Sequence, residues 1–343
     1  MKRLLNTLYV TTSDAYLRLD GGAVIIETKD EMIARVPLLN LESIVCMGYK
    51  GVSPGLMGEC AEKGIDLCFL TPHGRFLARV NGAVHGNVLL RVTQHEWAKD
   101  SARSASIARL MLIAKIFNGR WCLERTLRDH AERVSEAEFR LAIADMKLRI
   151  AQLSETQDID TMRGIEGLAA KAYFSVFEQM VLREEKAFRF DGRNRRPPLD
   201  RVNALLSFAY TLLGHEIAAA LETVGLDPYV GFMHQLRPGR ASLALDMLEE
   251  LRAPVADRFV ISLINLGVIG PNDFLRKENG AFYLKDDARK TFLGAWQKHK
   301  SEQLTHPFLK EKIPWGLVPY VQAMLLARYM RGDLDGYPPF MWK

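Results

Sequence analysis

Cysteine is scarce in this chain, and long apolar runs are missing. Cys46, Cys60, Cys68 and Cys122 are the four thiols in 343 residues. They have neither the CxxC spacing of a zinc ribbon nor the density of a disulfide scaffold, so they read as reduced, mostly core side chains. No segment reaches 18 consecutive apolar residues. Residues 1–10, although basic at Lys2 and Arg3, hold no sustained apolar stretch or small-residue cleavage site, and the expectation is a soluble cytoplasmic protein. A P-loop, a glycine-rich dinucleotide fingerprint and a GxSxG elbow are also missing, which disfavours nucleotide hydrolysis, hydride transfer and serine-hydrolase chemistry. One-sided charge is lacking too: the formal net charge is +5, and residues 1–95 carry 10 basic against 9 acidic side chains. A polyanionic partner must therefore be argued from local clusters.

Apolar material is plentiful, at 48% of the residues, and fills real cores. Up to about residue 95 it alternates in short runs, at 7–12, 16–19, 23–27, 32–37 and 43–47, separated by turn signals such as Asp20-Gly21-Gly22. Period two with β-branched and aromatic residues predicts a β-meander within a sandwich. One helix is predicted over 53–63, with Pro54 near its first turn and Gly64 past its last. From about Trp97 the period becomes helical, with Ile107, Leu110, Met111, Ala114 and Phe117 followed by a stop at Asn118-Gly119. Further helices are predicted over 120–134, 136–154, 159–186, 199–223, 242–252, 254–266, 286–302 and 315–331. The fold class is α+β: an N-terminal β-sandwich domain over 1–90, then a larger all-α domain over 91–343, joined near 81–95.

Three blocks can carry chemistry. In the first, a glycine-broken loop from Asp227 to His234 and the basic Arg237-Pro-Gly-Arg240 lead into a helix with Asp246, Glu249 and Glu250. Asp246 shares a helix face with either glutamate. Carboxylates on one face want solvent or a cation, and His234 offers a nitrogen ligand beside them. The block also reads as a solvated face next to a hydrogen-bonded loop histidine. In the second, Gly164 and Gly167 flank Glu166 inside a helix, each costing about 1 kcal/mol relative to alanine. They imply a close approach, of a backbone or phosphate beside Glu166 or of a tightly packed helix, and Tyr173 lies two turns along on nearly the same face. In the third, Arg193, Arg195, Arg196 and Arg201 surround Pro197-Pro198. Arginine beside aromatics suits phosphate and base contacts, the alternative being a solvated basic loop. Asn203, in the helix that begins after Asp200, is placed to cap or brace that loop.

The runs RGIEGLAAKAYF at 163–174, RNRRPPLDRVNALLSFAY at 193–210 and DPYVGFMHQLRPGRASLALDMLEELR at 227–252 together resemble the CRISPR-associated adaptation integrases, the Cas one endonuclease family. The resemblance covers nearly the whole chain, and length and flavour are similar to the subtype I-C branch. It implies a β-sandwich that makes a homodimer and a helical domain with one divalent-metal site. By position, it implies Glu166, His234 and Glu249 as ligands of Mg²⁺ or Mn²⁺. Asp246 would stand beside them as a catalytic neighbour or alternate ligand, with the register among Asp246, Glu249 and Glu250 left open. Tyr173, Arg193, Arg195, Arg196 and Arg240 would meet double-stranded DNA. The implied chemistry is insertion of new spacers into a repeat array, by attack of a DNA 3′-hydroxyl on a phosphodiester. The implied partner is a small ferredoxin-like adaptation protein, Cas two. Two rival readings are a stand-alone structure-specific metal nuclease and a non-catalytic DNA-binding scaffold.

Overall fold

A computed structural model describes residues 6–12, 14–48, 50–71, 76–80, 82, 88–183, 186–194 and 197–343. Arg195 and Arg196, read above as DNA contacts, lie outside the described residues. The chain forms two compact units. One comprises Met1–Gly86, Leu284–Glu302 and Pro314–Leu317; the other comprises Asn87–Tyr283, Gln303–Ile313 and Val318–Lys343.

The first unit begins with strands β1 (Thr7–Val10), β2 (Tyr16–Asp20), β3 (Ala23–Glu27), β4 (Met32–Pro37) and β5 (Ser43–Cys46). Helix α1 (Pro54–Lys63) and strands β6 (Asp66–Leu70) and β7 (Phe76–Val80) follow. The meander predicted for this region is confined to β2-β3-β4, an antiparallel sheet in which Leu17 faces Ile26 and Ile25 faces Arg35. The others form a mixed sheet in the order β1-β5-β6-β7, parallel from β1 to β6 and antiparallel from β6 to β7. Alternation tells which face a residue takes, not which strand lies beside it; the crossover through α1 is what makes β5 and β6 parallel. Ser53 caps α1 by accepting the Leu56 N–H, and Gly64 ends it at φ +64°. Leu17, Val24 and Ile26 from one sheet share a core with Val10, Ile44, Cys46 and Leu67 from the other and with Leu56 and Cys60 of α1. All four cysteines are free and buried, and burial pushes the Cys46 and Cys122 thiols up to about 12. They are inert core residues.

Helices dominate the rest: α2 (Val88–Lys99), α3 (Ser101–His130), α4 (Glu136–Glu155), α5 (Ile159–Ser175), α6 (Arg201–Thr223), α7 (Ser242–Leu251), α8 (Arg258–Asn265), α9 (Asp286–Ser301) and α10 (Val318–Met330). Helix α9 belongs to the first unit and the others to the second unit, which also carries short strands at Phe274–Arg276 and Gln303–Thr305. Helix α6 is long and apolar enough to cross a membrane by composition, but 67% of its apolar window is buried inside the protein.

Helix α2 starts at Val88, ahead of the predicted onset near Trp97, and three further differences have a visible cause. Helix α3 runs straight through Asn118-Gly119 because both residues serve tertiary contacts. The buried Asn118 amide donates to Glu250 O and Phe340 O and accepts from Trp342 N, and a Cβ on Gly119 would lie 3.1 Å from Met146 and 3.4 Å from Tyr173. Helix α5 stops at Ser175 rather than near 186, where Phe174, Phe177 and Phe190 cluster with ring centroids 5.0–5.8 Å apart. Between α7 and α8, Arg252–Asp257 forms a π-helical turn. Pro254 has no N–H for the carbonyl of Glu250, and the Asn118 amide satisfies that carbonyl at 2.7 Å.

Candidate active site

The loop before α7 is shaped by one carboxylate. Asp246 is fully buried. Its Oδ2 accepts the N–H groups of Phe232 and Met233 at 2.7 and 3.0 Å, and its Oδ1 accepts the His234 N–H at 2.9 Å and contacts His234 Nδ1 at 2.6 Å. Gly231 permits this wrapping, since a Cβ there would lie 2.7 Å from both Asp246 Oδ2 and the Ser242 backbone. From the other side, Gln94 on α2 accepts the Asp227 N–H and donates to the carbonyls of Asp227 and Val230. Because Asp246 Oδ1 faces Nδ1 as an acceptor, the geometry suits an imidazole that carries its proton on Nδ1 and keeps a lone pair on Nε2. Asp246 therefore orients His234 and has no oxygen to spare for an ion of its own.

His234, Glu166 of α5 and Glu249 of α7 line one cavity of about 370 Å³, together with Arg163, Met233, Gln235 and Arg240. Glu166 and Glu249 are bridged by Lys115 of α3, which pairs with Glu166 Oε1 and stands 2.6 Å from Glu249 Oε2. Arg252 holds the other Glu249 oxygen at 3.0 Å. Burial alone would raise the Glu249 pKa, but the charges of Arg252 and Lys115 outweigh it and hold this carboxyl down at about 2. Glu250 turns elsewhere. It accepts the Tyr337 hydroxyl and the Phe340 N–H, and burial raises its carboxyl to about 7. The open register thus divides geometrically: Glu249 faces the cavity, Asp246 the His234 loop and Glu250 the C-terminal segment.

The donor chemistry, two carboxylates and an imidazole on one cavity, is of the kind that takes a divalent ion. Oε2 of Glu249 is buried without an aligned hydrogen-bond donor and meets the ammonium of Lys115 instead. Among the described residues no three His, Cys, Asp or Glu side chains stand close enough to share an ion; the lysine fills the space between two of the donors.

The other predicted residues separate. Tyr173, expected against DNA, is buried and donates its hydroxyl to Asp257 at 3.0 Å, so its ring belongs to the core. Arg193 is committed to Asn203, to Ser207 at 3.2 Å and to the face of Tyr210, which makes it a brace of its loop. Asp200 caps α6 by accepting the Asn203 N–H at 2.7 Å, and Asn203 ties that cap to Gly192 and Asn194. Arg240 lines the cavity beside Glu166, His234 and Glu249.

Lys115, Arg252 and Arg163 are residues at the cavity that sequence reasoning missed, and Asp257 is a buried acid behind it that was missed as well. Arg163 donates to Met233 O beside His234. Asp257 receives the hydroxyls of Tyr173 and Tyr210, the latter at 2.5 Å, and burial raises its carboxyl to about 6. Lys115 did leave a trace in the sequence, as a lone cation between the apolar Ala114 and Ile116.

Residues 8–298 match the family described as CRISPR associated protein Cas1. The chain is 52% identical over 343 residues to CRISPR-associated endonuclease Cas1 1 of Chlorobaculum tepidum, and 50% identical over 348 residues to CRISPR-associated endonuclease Cas1 2 of Rhodospirillum rubrum, with all of each chain covered. Among solved structures it is similar to a casposase bound to integration product, with a TM-score of 0.83 and 22% identity over 96% of this chain and 92% of that one. It is also similar to a chain of a Cas6-RT-Cas1–Cas2 complex, with a TM-score of 0.81 and 23% identity over 98% of this chain and 36% of that one. A cavity that combines paired acids, an oriented imidazole and arginines, in a chain matched end to end by such relatives, has one conclusion: the protein belongs to the Cas1 family of CRISPR-associated endonucleases.

Proposed function

We propose that this chain is a metal-dependent DNA integrase and endonuclease of CRISPR adaptation, inserting new spacers into a repeat array by attack of a DNA 3′-hydroxyl on a phosphodiester. The observation that carries this reading is the meeting of Glu166, His234 and Glu249 in one cavity with Arg163 and Arg240. Acids alone repel a phosphate. The arginines make the same cavity attractive to one, so it suits a cation and a phosphodiester together.

Glu166, His234 and Glu249 are the residues to hold Mg²⁺ or Mn²⁺, one nitrogen among oxygens tilting the choice to Mn²⁺. When bound, such an ion supplies Lewis acidity at the scissile phosphoryl oxygen and eases deprotonation of the attacking hydroxyl. The protein's own groups do the rest. Asp246 fixes the His234 tautomer, Arg252 aims Glu249, and Arg240 neutralises a phosphate oxygen. Added Cβ atoms at Gly164 or Gly167 would meet nothing within 4 Å, so tight helix packing does not explain these glycines, and a DNA backbone has room beside Glu166. Transesterification conserves bond number, in keeping with a chain that carries no P-loop.

The solved Cas1–Cas2 complex and the casposase product complex support double-stranded DNA and the small ferredoxin-like adaptation protein as partners. In this reading residues 1–90 make the homodimer, residues 91–343 carry catalysis, Arg195 and Arg196 track the DNA backbone, the chain sits in the subtype I-C branch, and it works in the cytoplasm. The test is incubation with a short duplex, a repeat-containing plasmid and Mn²⁺ or Mg²⁺, with and without the partner protein. Covalent joining is the expected result. Cutting without joining would favour the solitary nuclease, and binding alone the scaffold.

A further inference from the structure

Lys115 stands where a lysine is least expected. Helix α3 is buried along this stretch, with Met111, Leu112 and Ala114 fully inaccessible and Ile116 nearly so. An ammonium here is costly to desolvate unless it is paired. It is paired twice, with Glu166 of α5 and with Glu249 of α7 at 2.6 Å. One side chain thus ties together three helices, α3, α5 and α7, through the two acids that line the cavity.

The bridge has a consequence for any ion held by the same two acids. A divalent cation takes carboxylate oxygens at about 2.0–2.2 Å, and an ammonium cannot stay between those oxygens at the same time, by volume or by charge. A cation must nevertheless be present when the metal is not, because Glu166 and Glu249 would otherwise face each other across a partly dry space. Arg252 answers for one oxygen of Glu249 and does not bridge to Glu166.

We propose that Lys115 is a resident counter-cation of the metal centre: it holds Glu166 and Glu249 in place while metal is absent, and it competes with the divalent ion for them and is displaced when the ion binds. This rests on the metal-site reading above. Lysine suits the task because its flexible stem can swing away, whereas the forked guanidinium of Arg252 stays on Glu249. Metal occupancy is thereby coupled to the release of one side chain from α5 and α7.

The experiment is Mn²⁺ titration of the full chain, followed by electron paramagnetic resonance, for wild type, Lys115→Gln, Lys115→Arg and Glu166→Gln, with thermal unfolding in the absence of metal. If the bridged state is the main metal-free state, Lys115→Gln binds Mn²⁺ on the order of tenfold more tightly, while its metal-free melting temperature falls. Lys115→Arg gains nothing. A lysine with a merely structural role predicts unchanged or weaker Mn²⁺ binding, and either result in a folded Lys115→Gln protein overturns the inference. Wild-type crystals soaked in Mn²⁺ supply a check that needs no variant: the lysine is expected beyond about 4 Å from both carboxylates, and a bridge retained with metal bound overturns the inference. Glu166→Gln separates the two claims. Glu166-dependent binding without tightening in Lys115→Gln defeats the lysine's role alone, whereas binding insensitive to Glu166 defeats the metal site itself.

Discussion

Asp246 accepts three backbone N–H groups and contacts the His234 ring from a fully buried position. In the proposed metal centre its part is therefore to orient His234. Asp246→Asn, which turns one acceptor into a donor, should weaken Mn²⁺ affinity about 10–100-fold; unchanged affinity in the folded variant would show that the imidazole is held by other means. Asp257 invites a different measurement. Its carboxyl is raised to about 6, mainly by burial, above an ordinary value of 3.8. The native state therefore keeps this proton where the unfolded chain has lost it, and the stabilisation is full below about pH 4 and lost as pH rises through about 6. In Asp257→Asn this component is absent, so relative to wild type the variant should gain roughly 2–3 kcal/mol between pH 4 and 7. Denaturant titrations at several pH values read it, and a parallel pH dependence of the two proteins would contradict the assignment.

At the scale of elements, the sequence was most legible where one rule acted alone. Ser53, Pro54 and Gly64 bound α1 in the places their chemistry dictates, and Asp200 caps α6. Legibility failed where a residue answers to a distant partner. Asn118-Gly119 reads locally as a helix stop, yet Asn118 serves Glu250 and the C-terminal segment. Periodicity placed Tyr173 on the Glu166 face and the family resemblance implied a DNA contact there, yet Asp257, 84 positions away, claims its hydroxyl. In the site, residue spacing left the choice among Asp246, Glu249 and Glu250 open and the family resemblance implied Glu166, His234 and Glu249, while the pairing of Lys115 with both glutamates is visible only once α3, α5 and α7 are side by side. Gly164 and Gly167 give the element-scale prediction. With open space at both positions, alanine should stabilise α5 by up to about 1 kcal/mol each, yet lower DNA joining if the nucleic acid uses that space. Added stability with full joining would place the DNA elsewhere.

For the whole molecule, the proposed homodimer needs a surface. The outer strand β4 exposes Met32 and Ile33, and Leu39 follows it, 82% exposed. Ile33→Glu combined with Leu39→Lys should convert a dimer to a monomer in sedimentation velocity; a variant that stays dimeric would move the interface away from this sheet. The central claim, however, is that Glu166, His234 and Glu249 act as one metal centre on DNA, and the neighbouring glutamates test it most directly. In Mn²⁺-dependent joining of a short duplex to a repeat-containing plasmid, Glu249→Gln should lose at least about a hundredfold in rate. Glu250→Gln, whose side chain faces Tyr337 and Phe340, should stay within about tenfold of wild type. The reverse order, with Glu249→Gln joining normally and Glu250→Gln inactive though folded, would contradict the account.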